Sequence, residues 1–241
     1  MRTVIVMPTY NEVENITDML RAVRAALPDA DVLVVDDHSP DGTAAAARGV
    51  ADELGSIEVV SRSGRPGLGA AYRHGFEMVL ARDIDVVVSM DSDFSHDPTM
   101  LPSLIAPIAD GADLVLGSRY VPGGDTVDWP VHRRLLSRWG NRYTAALLGL
   151  SVHDCTTGYR AYRASTLRAV HPAETAAEGY AFLTELVRKF SVAGASVQEV
   201  PILFRDRTKG SSKMSWRIVV ESMLLVTRWG IVDRWAAARS R

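Results

Sequence analysis

One stretch, residues 84–98, constrains the fold of this chain more than any other. It contains the apolar run VVV at 86–88, and consecutive β-branched residues without polar alternation are typical of a strand that is covered on both faces of a sheet. The run is followed closely by Asp91, Ser92 and Asp93. The pattern therefore predicts a buried central strand with carboxylates just beyond its C-terminal end.

These carboxylates have the chemistry of a cation site. Alternate residues of an extended chain point to the same side, so Asp91, Asp93 and Ser95 are predicted to share one side. Two nearby carboxylates repel unless a cation neutralises them, and Mg²⁺ or Mn²⁺ typically binds one or two carboxylates together with phosphate oxygens of a substrate. Asp97 has a simpler explanation, because Asp caps helices and Pro98 suits the first helical position. An Asp-x-Asp pattern occurs in many unrelated proteins, so the rest of the chain must decide.

Composition narrows the class of protein. With 241 residues, 47% of them hydrophobic, the chain is long enough for one α/β domain. A net charge of −2 gives no overall signature of nucleic-acid binding. The single cysteine, Cys155, excludes an internal disulfide and a cysteine zinc cluster, is expected to be a buried small residue, and favours a reducing, cytoplasmic location. Residues 1–8 are too short for a signal peptide, and no run reaches the roughly 18 apolar residues of a membrane span.

The first half of the chain alternates strands with helices. Strands are predicted at 3–7, 32–35, 57–60 and 86–88, and this rhythm indicates a parallel, doubly wound sheet. Ligands bind such sheets at the carboxyl ends of the strands, where the polar segments PTYNE, DDHSPDGT and DSD lie. No G-x-G-x-x-G follows the first strand, which disfavours a dinucleotide site. The histidines of this half, including His96, are expected to be solvated loop residues.

A series of motifs, in chain order, then points to a family: VMPTYNE, VVDDHSPDGT, GLGAAY, MDSDFSHDP, GSRYVPGG, DCTTGYRAYR, GYAFLTE and VPILFRDRTKGSSKM. Together they resemble the inverting glycosyltransferases of family 2 with the GT-A fold and, more narrowly, the dolichyl- or polyprenyl-phosphate mannosyltransferases. The resemblance implies an α/β, Rossmann-like fold with a mostly parallel central sheet flanked by helices, plus interfacial amphipathic helices. It implies a catalytic domain over residues 1–213, with an acceptor helix within 129–150, and a C-terminal amphipathic helix over 214–241.

The same resemblance assigns roles residue by residue. Nucleotide-sugar binding is implied for Pro8, Tyr10, Glu12, Val35, Asp37, Asp91, Ser92, Asp93, Ser95, Arg119, Arg207 and Lys213. Catalytic roles are implied for Asp91, Asp93, Arg119, Arg207 and Lys213. Binding of the acceptor phosphate is implied for Arg119, Arg133 and Ser137. The metal, Mg²⁺ or Mn²⁺, is implied to lie on Asp91, Asp93 and Ser95. Residues 205–214 are expected to close over the donor as a lid.

Two segments carry the composition of a membrane interface. Arg134, Arg138 and Arg142 recur every fourth residue beside tryptophan and leucine, which is typical of a helix lying on anionic lipid; an ordinary surface helix is the alternative. The segment from Met214 to Ala238 mixes tryptophans with arginines and is predicted to be an interfacial helix or a helix packed on the core. A peripheral position on the cytoplasmic face of a membrane is therefore expected, with or without an anchoring protein.

The resulting expectation is transfer of mannose from GDP-mannose to a polyprenyl phosphate. The same fold using UDP-glucose or another nucleotide sugar is an alternative, since pocket shape sets the choice of donor. A catalytically silent nucleotide-binding or scaffold protein is the alternative from a different class. The four residues Asp91, Asp93, Arg207 and Lys213 argue against it, because a silent protein has no chemical need to keep them.

Overall fold

The structure is a computed structural model that describes residues 1–64, 67–206 and 216–239. A seven-stranded sheet with the order β3-β2-β1-β4-β7-β5-β8 forms its centre, and β6 and β9 form a small parallel ribbon. The strands are β1 Thr3–Thr9, β2 Asp31–Asp36, β3 Ile57–Ser61, β4 Val86–Ser89, β5 Leu114–Ser118, β6 Asp125–Val127, β7 Arg160–Arg163, β8 Val197–Pro201 and β9 Leu203–Arg205.

Helices cover both faces of the sheet. They are α1 Ile16–Ala26, α2 Thr43–Leu54, α3 Leu68–Leu80, α4 Leu101–Ala109, α5 Val131–Leu148, α6 Ala164–Ala169, α7 Tyr180–Val192 and α8 Trp216–Arg239. Two short 3₁₀ helices, Pro98–Met100 and Pro172–Glu174, complete the described chain. Asp97 accepts a hydrogen bond from the amide of Thr99 at 2.9 Å, which confirms the predicted helix start.

The sheet is parallel except at one strand. β1 pairs in parallel with β2 and β4, β2 with β3, and β5 with β8, whereas β7 runs antiparallel between β4 and β5. The mostly parallel α/β fold expected from the sequence is therefore confirmed. The alternation of strands and helices in the first half does not predict β7, because β7 follows α5 in the second half of the chain. The C-terminal ends of β1, β2, β4 and β5 all lie at the same edge of the sheet.

Two apolar clusters, one on each face, hold these layers together. Along β1, Val4 and Val6 face one cluster while Ile5 and Met7 face the other, as the two-residue period of a strand requires. In β4 the three valines at 86–88 are all fully buried, which confirms the predicted central strand. The absence of polar alternation in the sequence thus reflects cover on both faces.

A fully buried arginine joins the second half of the chain to the sheet. Arg160 on β7 donates to the carbonyl oxygens of Thr157 (2.7 Å), Leu183 (2.7 Å) and Cys155 (2.8 Å). Cys155 is itself buried, as expected. Since a buried guanidinium requires hydrogen-bond partners, these bonds fix the 155–157 loop and α7 relative to the sheet.

The two helices with interfacial composition, α5 and α8, lie against each other. The Tyr143 and Thr227 hydroxyls are 2.9 Å apart, and a Cβ at Gly230 would lie 2.5 Å from Leu147 Cγ, so the helices approach closely. Within the described residues, neither these helices nor any other combines the length and the apolar content needed to cross a bilayer.

Candidate active site

A cavity of about 500 Å³ opens at the C-terminal edge of β1, β2 and β4. In the described structure, the cavity is lined by the end of β1, the loops after these strands, the start of α3, the segment before α7 with the first turn of α7, and α8. The lining residues are Pro8, Thr9, Tyr10, Glu12, Asp37, Gly67, Leu68, Ala71, Asp91, Ser92, Asp93, Glu178, Gly179, Ala181, Glu221, Ser222 and Leu225. The predicted convergence of the polar loops on one pocket is therefore confirmed.

The loop after β4 presents both carboxylates to this cavity. Because β4 already ends at Ser89, Asp91 and Asp93 lie in an irregular turn rather than at alternate positions of a strand, and Phe94 adopts a left-handed φ of 61°. Ser95 does not line the cavity in the described structure; it donates to Asp93 Oδ1 through its amide (3.0 Å) and its hydroxyl (2.5 Å). In this arrangement Ser95 orients Asp93.

The expectation that His96 is a solvated loop residue is wrong. Its side chain is 1% exposed, stacks on the ring of Tyr159 at 4.9 Å between centroids, and meets Phe204 edge to face. Burial lowers the pKa of His96 to about 4, so the ring is neutral near neutral pH. Its Nδ1 accepts a hydrogen bond of 3.1 Å from the amide of Asp91. The sequence shows only that His96 follows the carboxylates, not that the loop folds back over it.

Hydrogen bonds within and between chain segments hold the acidic residues of the loops after β1 and β2. Glu12 accepts from Asn15 Nδ2 at 2.8 Å, and its amide donates to Thr43 Oγ1 at 2.9 Å. Asp37 accepts from the amide of Gly67 at 2.6 Å and forms an ion pair with Arg62, so it ties the end of β2 to the start of α3.

Of the remaining predicted nucleotide contacts, Pro8, Tyr10 and Ser92 line the cavity, whereas Val35 is fully buried in the core and does not line it within the described structure. Asp36 accepts a hydrogen bond from the amide of Ser39 in the turn after β2. Asp41 accepts one from the amide of Thr43 at the start of α2.

Carboxylates are the charged groups of the described cavity lining. Six of the described lining residues are aspartate or glutamate and none is lysine or arginine, while Asp37 forms an ion pair with Arg62 and Glu178 with Arg73. A diphosphate could not bind beside Asp91 and Asp93 without a cation, because like charges repel across a partly dry site. Two carboxylates with hard oxygens suit Mg²⁺ or Mn²⁺ when phosphate oxygens complete the coordination. Within the described chain, no group of three or more histidine, cysteine, aspartate or glutamate side chains is placed to hold a metal ion.

Arg119, which follows β5 directly, is held in a buried ion pair that the sequence did not reveal. Its Nε and Nη2 each lie 2.7 Å from an oxygen of Asp154, and Nη2 donates to Thr156 at 2.8 Å. Burial raises the pKa of Asp154, but the charge of Arg119 and hydrogen bonds from Arg119 and Thr156 outweigh this and leave the pKa below its usual value. Within the described structure Arg119 does not line the cavity. Its role as a phosphate ligand stays a prediction.

The predicted acceptor residues lie beside Arg119. The guanidinium of Arg133 stacks over the ring of Trp129 at 4.0 Å and donates to Asp206 at 2.5 Å. Ser137 accepts a hydrogen bond of 2.5 Å from the hydroxyl of Tyr120. The aromatic residues Tyr120, Trp129 and Phe204 surround Arg119 at 5.2 to 5.6 Å from its guanidinium carbon.

Two predicted residues, Arg207 and Lys213, lie outside the described residues, as does most of the predicted lid at 205–214. Sequence analysis missed Glu178 and the α8 residues Glu221, Ser222 and Leu225 as lining of the cavity. No local pattern marks them, because they reach the cavity only through the packing of α7 and α8.

The fold and the site agree with one family of enzymes. A family model described as "Glycosyl transferase family 2" matches residues 4–170, more than half of the chain. The chain therefore belongs to glycosyltransferase family 2.

Curated relatives narrow this further. Undecaprenyl-phosphate mannosyltransferase of Micrococcus luteus is 46% identical over 100% of this chain and 99% of that protein. Polyprenol monophosphomannose synthase of Mycolicibacterium smegmatis is 44% identical over 99% and 90%. Dolichol-phosphate mannosyltransferase of Pyrococcus furiosus is 32% identical over 97% and 66%. The resemblance to the polyprenyl-phosphate branch of the family is confirmed.

Solved structures show the same fold. Glucosyl-3-phosphoglycerate synthase from Mycobacterium tuberculosis, in complex with phosphoglyceric acid, has a TM-score of 0.68 and 22% identity, over 94% of this chain and 80% of that chain. Its complex with Mn²⁺, uridine diphosphate and phosphoglyceric acid has a TM-score of 0.66 and 21% identity, over 95% and 76%. The GT-A fold predicted from the motifs is thereby confirmed.

The buried Arg119–Asp154 pair makes a testable contribution to stability. We expect Asp154→Asn to lower the free energy of unfolding by about 3 kcal/mol at neutral pH, because it leaves a buried guanidinium without a countercharge. The folded-state pKa of Asp154 is lowered, so the contribution is present above the unfolded value of about 3.9 and is lost as the pH falls through the folded value. The difference between wild type and variant should therefore narrow in acid, as measured by urea unfolding at a series of pH values.

A matched control is Asp125→Asn, which removes the carboxylate from an exposed pair with Arg134. Its effect should stay below about 1 kcal/mol at every pH, since exposed pairs contribute little. Equal effects of the two substitutions would contradict the structural role given to Asp154.

Proposed function

We propose that this protein transfers mannose from GDP-mannose to a polyprenyl monophosphate, with inversion at the anomeric carbon, and releases GDP. The names of the relatives reported above describe enzymes that join mannose to undecaprenyl, polyprenol or dolichol phosphate. The observation that carries the proposal in this chain is the position of Asp91 and Asp93. Both line a cavity at the carboxyl ends of the strands, and the His96 that follows them packs on Phe204, whose ring also contacts Trp129 just before α5.

The chemistry of the acceptor explains why the cavity needs no general base. A phosphate monoester has a second pKa of about 6 and is already an anion near neutral pH. Among the described lining residues there is no histidine, and the neutral ring of His96 is buried beneath the loop. The acceptor oxygen attacks the anomeric carbon directly, the bond from that carbon to the diphosphate oxygen breaks, and the electron pair leaves with GDP.

Catalysis then rests on position and charge. Asp91 and Asp93 would hold Mg²⁺ or Mn²⁺, which when bound stabilises the negative charge that develops on the leaving diphosphate. Asp93 is kept in place by two bonds from Ser95, so its carboxylate is oriented before the substrate arrives. Glu12 and Asp37 border the same cavity, where their acceptor oxygens suit ribose hydroxyls and the N–H edge of a base. Arg207 and Lys213 are proposed to bind the diphosphate.

The function is tested by transfer of labelled sugar into a lipid-extractable product. Purified protein with Mg²⁺ and a short polyprenyl phosphate should transfer label from GDP-mannose and not from UDP-glucose. Asp93→Asn keeps the size of the side chain but removes its charge, and we expect it to lower kcat at least a hundredfold, by analogy with the loss of an oxyanion-stabilising group. Transfer from UDP-glucose alone would replace the donor, and wild-type turnover by Asp93→Asn would refute the metal assignment.

We further propose that Arg133 and Ser137 bind the acceptor phosphate. Arg133 lies on the first turn of α5, where the flat face of its guanidinium is supported by Trp129 and its edge by Asp206. A guanidinium fixed in this way can present paired donors to a phosphate. Ser137 lies one turn further along the same helix face.

Replacement of Arg133 should affect the lipid substrate alone. We expect Arg133→Ala to raise the KM for polyprenyl phosphate by about tenfold or more, because a hydrogen bond to a charged group contributes about 1.5–3 kcal/mol, and to leave the KM for GDP-mannose unchanged. Arg82→Ala is the control, since Arg82 also forms a partly exposed ion pair, with Glu58. An equal rise in both KM values would contradict the assignment.

We also propose that α5 and α8 bind the protein to the cytoplasmic face of a membrane. The two packed helices expose large apolar side chains that the core does not cover: Val131, Leu135, Leu136 and Trp139 on α5, and Leu224, Ile231, Val232 and Trp235 on α8. Arg134, Arg138 and Arg142 are exposed on the same α5. Apolar groups with arginines suit an anionic lipid surface, where the acceptor lipid would also be found.

Sedimentation with vesicles checks this proposal. The protein should bind vesicles that contain phosphatidylglycerol more tightly than neutral ones, and the double variant Trp139→Ser and Trp235→Ser should weaken binding by about tenfold or more, since about 1.4 kcal/mol is a factor of ten. Val192→Ser is the control, because Val192 is even more exposed than the two tryptophans but lies at the end of α7. Equal binding by the double variant would rule out this surface.

A further inference from the structure

The loop that carries Asp91 and Asp93 folds back over His96, and this contact has a definite chemical form. The amide of Asp91 donates to Nδ1 of His96 at 3.1 Å, so Nδ1 carries the lone pair. A neutral imidazole then carries its proton on Nε2. Nε2 lies 3.9 Å from Asp91 Oδ2, which places an N–H dipole beside the carboxylate rather than a lone pair.

The ring cannot readily turn away from this position. It is stacked at 15° on Tyr159, it meets Phe204 at 72°, and its side chain is 1% exposed. Gly158 lies on the remaining side, where an added Cβ would be 3.4 Å from both Asp91 Oδ1 and His96 Cε1. The imidazole is thus enclosed by groups that fix its plane, and its tautomer is set by the Asp91 amide.

We infer that His96 is a positioning residue, whose Nδ1 accepts from the amide of Asp91 and fixes this main chain so that the carboxylate faces the cation and the diphosphate. This inference rests on the proposed function, in which Asp91 binds the metal with the nucleotide. The two carboxylates then have separate supports, because Ser95 fixes Asp93 and His96 fixes Asp91. Groups that orient metal ligands in this way commonly contribute about 10- to 100-fold to metal affinity.

Affinity for Mn²⁺ in the presence of GDP tests the inference without reference to turnover. Free Mn²⁺ is followed by its electron paramagnetic resonance signal during titration. His96→Asn places an amide oxygen near the Nδ1 position and can accept from Asp91, whereas His96→Gln places its polar atoms near the Nε2 position. Both lose the stacked ring, so the difference between them isolates the acceptor. We expect His96→Gln and His96→Ala to weaken Mn²⁺ binding by about 10- to 100-fold and His96→Asn to bind close to the wild-type level.

The control is Tyr159→Phe, which keeps the stacked ring but loses the hydrogen bond from its hydroxyl to the carbonyl of Asp97; its Mn²⁺ affinity should be unchanged. Wild-type affinity in His96→Gln, or an equal loss in His96→Asn and His96→Gln, would overturn the inference. Failure of the wild-type protein to bind Mn²⁺ with GDP would instead overturn the proposed function, so the two failures are distinguishable. Thermal melting of each variant identifies any loss that comes from unfolding.

Discussion

The parallel pairing of β1 with β2 and β4 is the constraint on which the rest of this structure depends. Parallel strands end at one edge of a sheet, so the loops after all three strands meet there. Each loop carries an acidic residue, and the sheet thereby assembles Glu12, Asp37, Asp91 and Asp93 around one cavity. The pairing of the three strands therefore brings the residues of these loops to the site.

Such an assembly of like charges has an electrostatic cost, and hydrogen bonds hold three of these four carboxylates in place. Asn15 donates to Glu12 and Ser95 to Asp93 within their own loops, and Gly67 at the start of α3 donates to Asp37. These bonds orient the groups, and Arg62 also forms an ion pair with Asp37. Carboxylates oriented in this way suit a divalent cation bound together with a nucleotide diphosphate, the pair that is proposed to bind in this cavity.

The second half of the chain adds a cluster of basic and aromatic residues at the same edge of the sheet. Antiparallel β7 is inserted between β4 and β5, and buried Arg160 ties the following elements to it. Beside it, Asp154 fixes Arg119 under the aromatic residues that border α5. Through Phe204, which contacts both His96 and Arg119, the carboxylate loop and the acceptor region share one packed layer. The proposed donor site and the proposed acceptor site are thus connected by packed aromatic residues.

The sequence by itself determined the elements that depend on local patterns. The buried run at 86–88, the βα alternation of the first half and the helix start at Asp97 follow from periodicity and capping, which act over a few residues, and the loops of the cavity follow from the ends of those strands. The tertiary structure alone decided that His96 is buried, that Asp154 lies against Arg119 35 residues away, and that α8 lines the cavity with Glu221. These features depend on contacts between distant segments, and a linear pattern does not encode which buried surface will meet which partner.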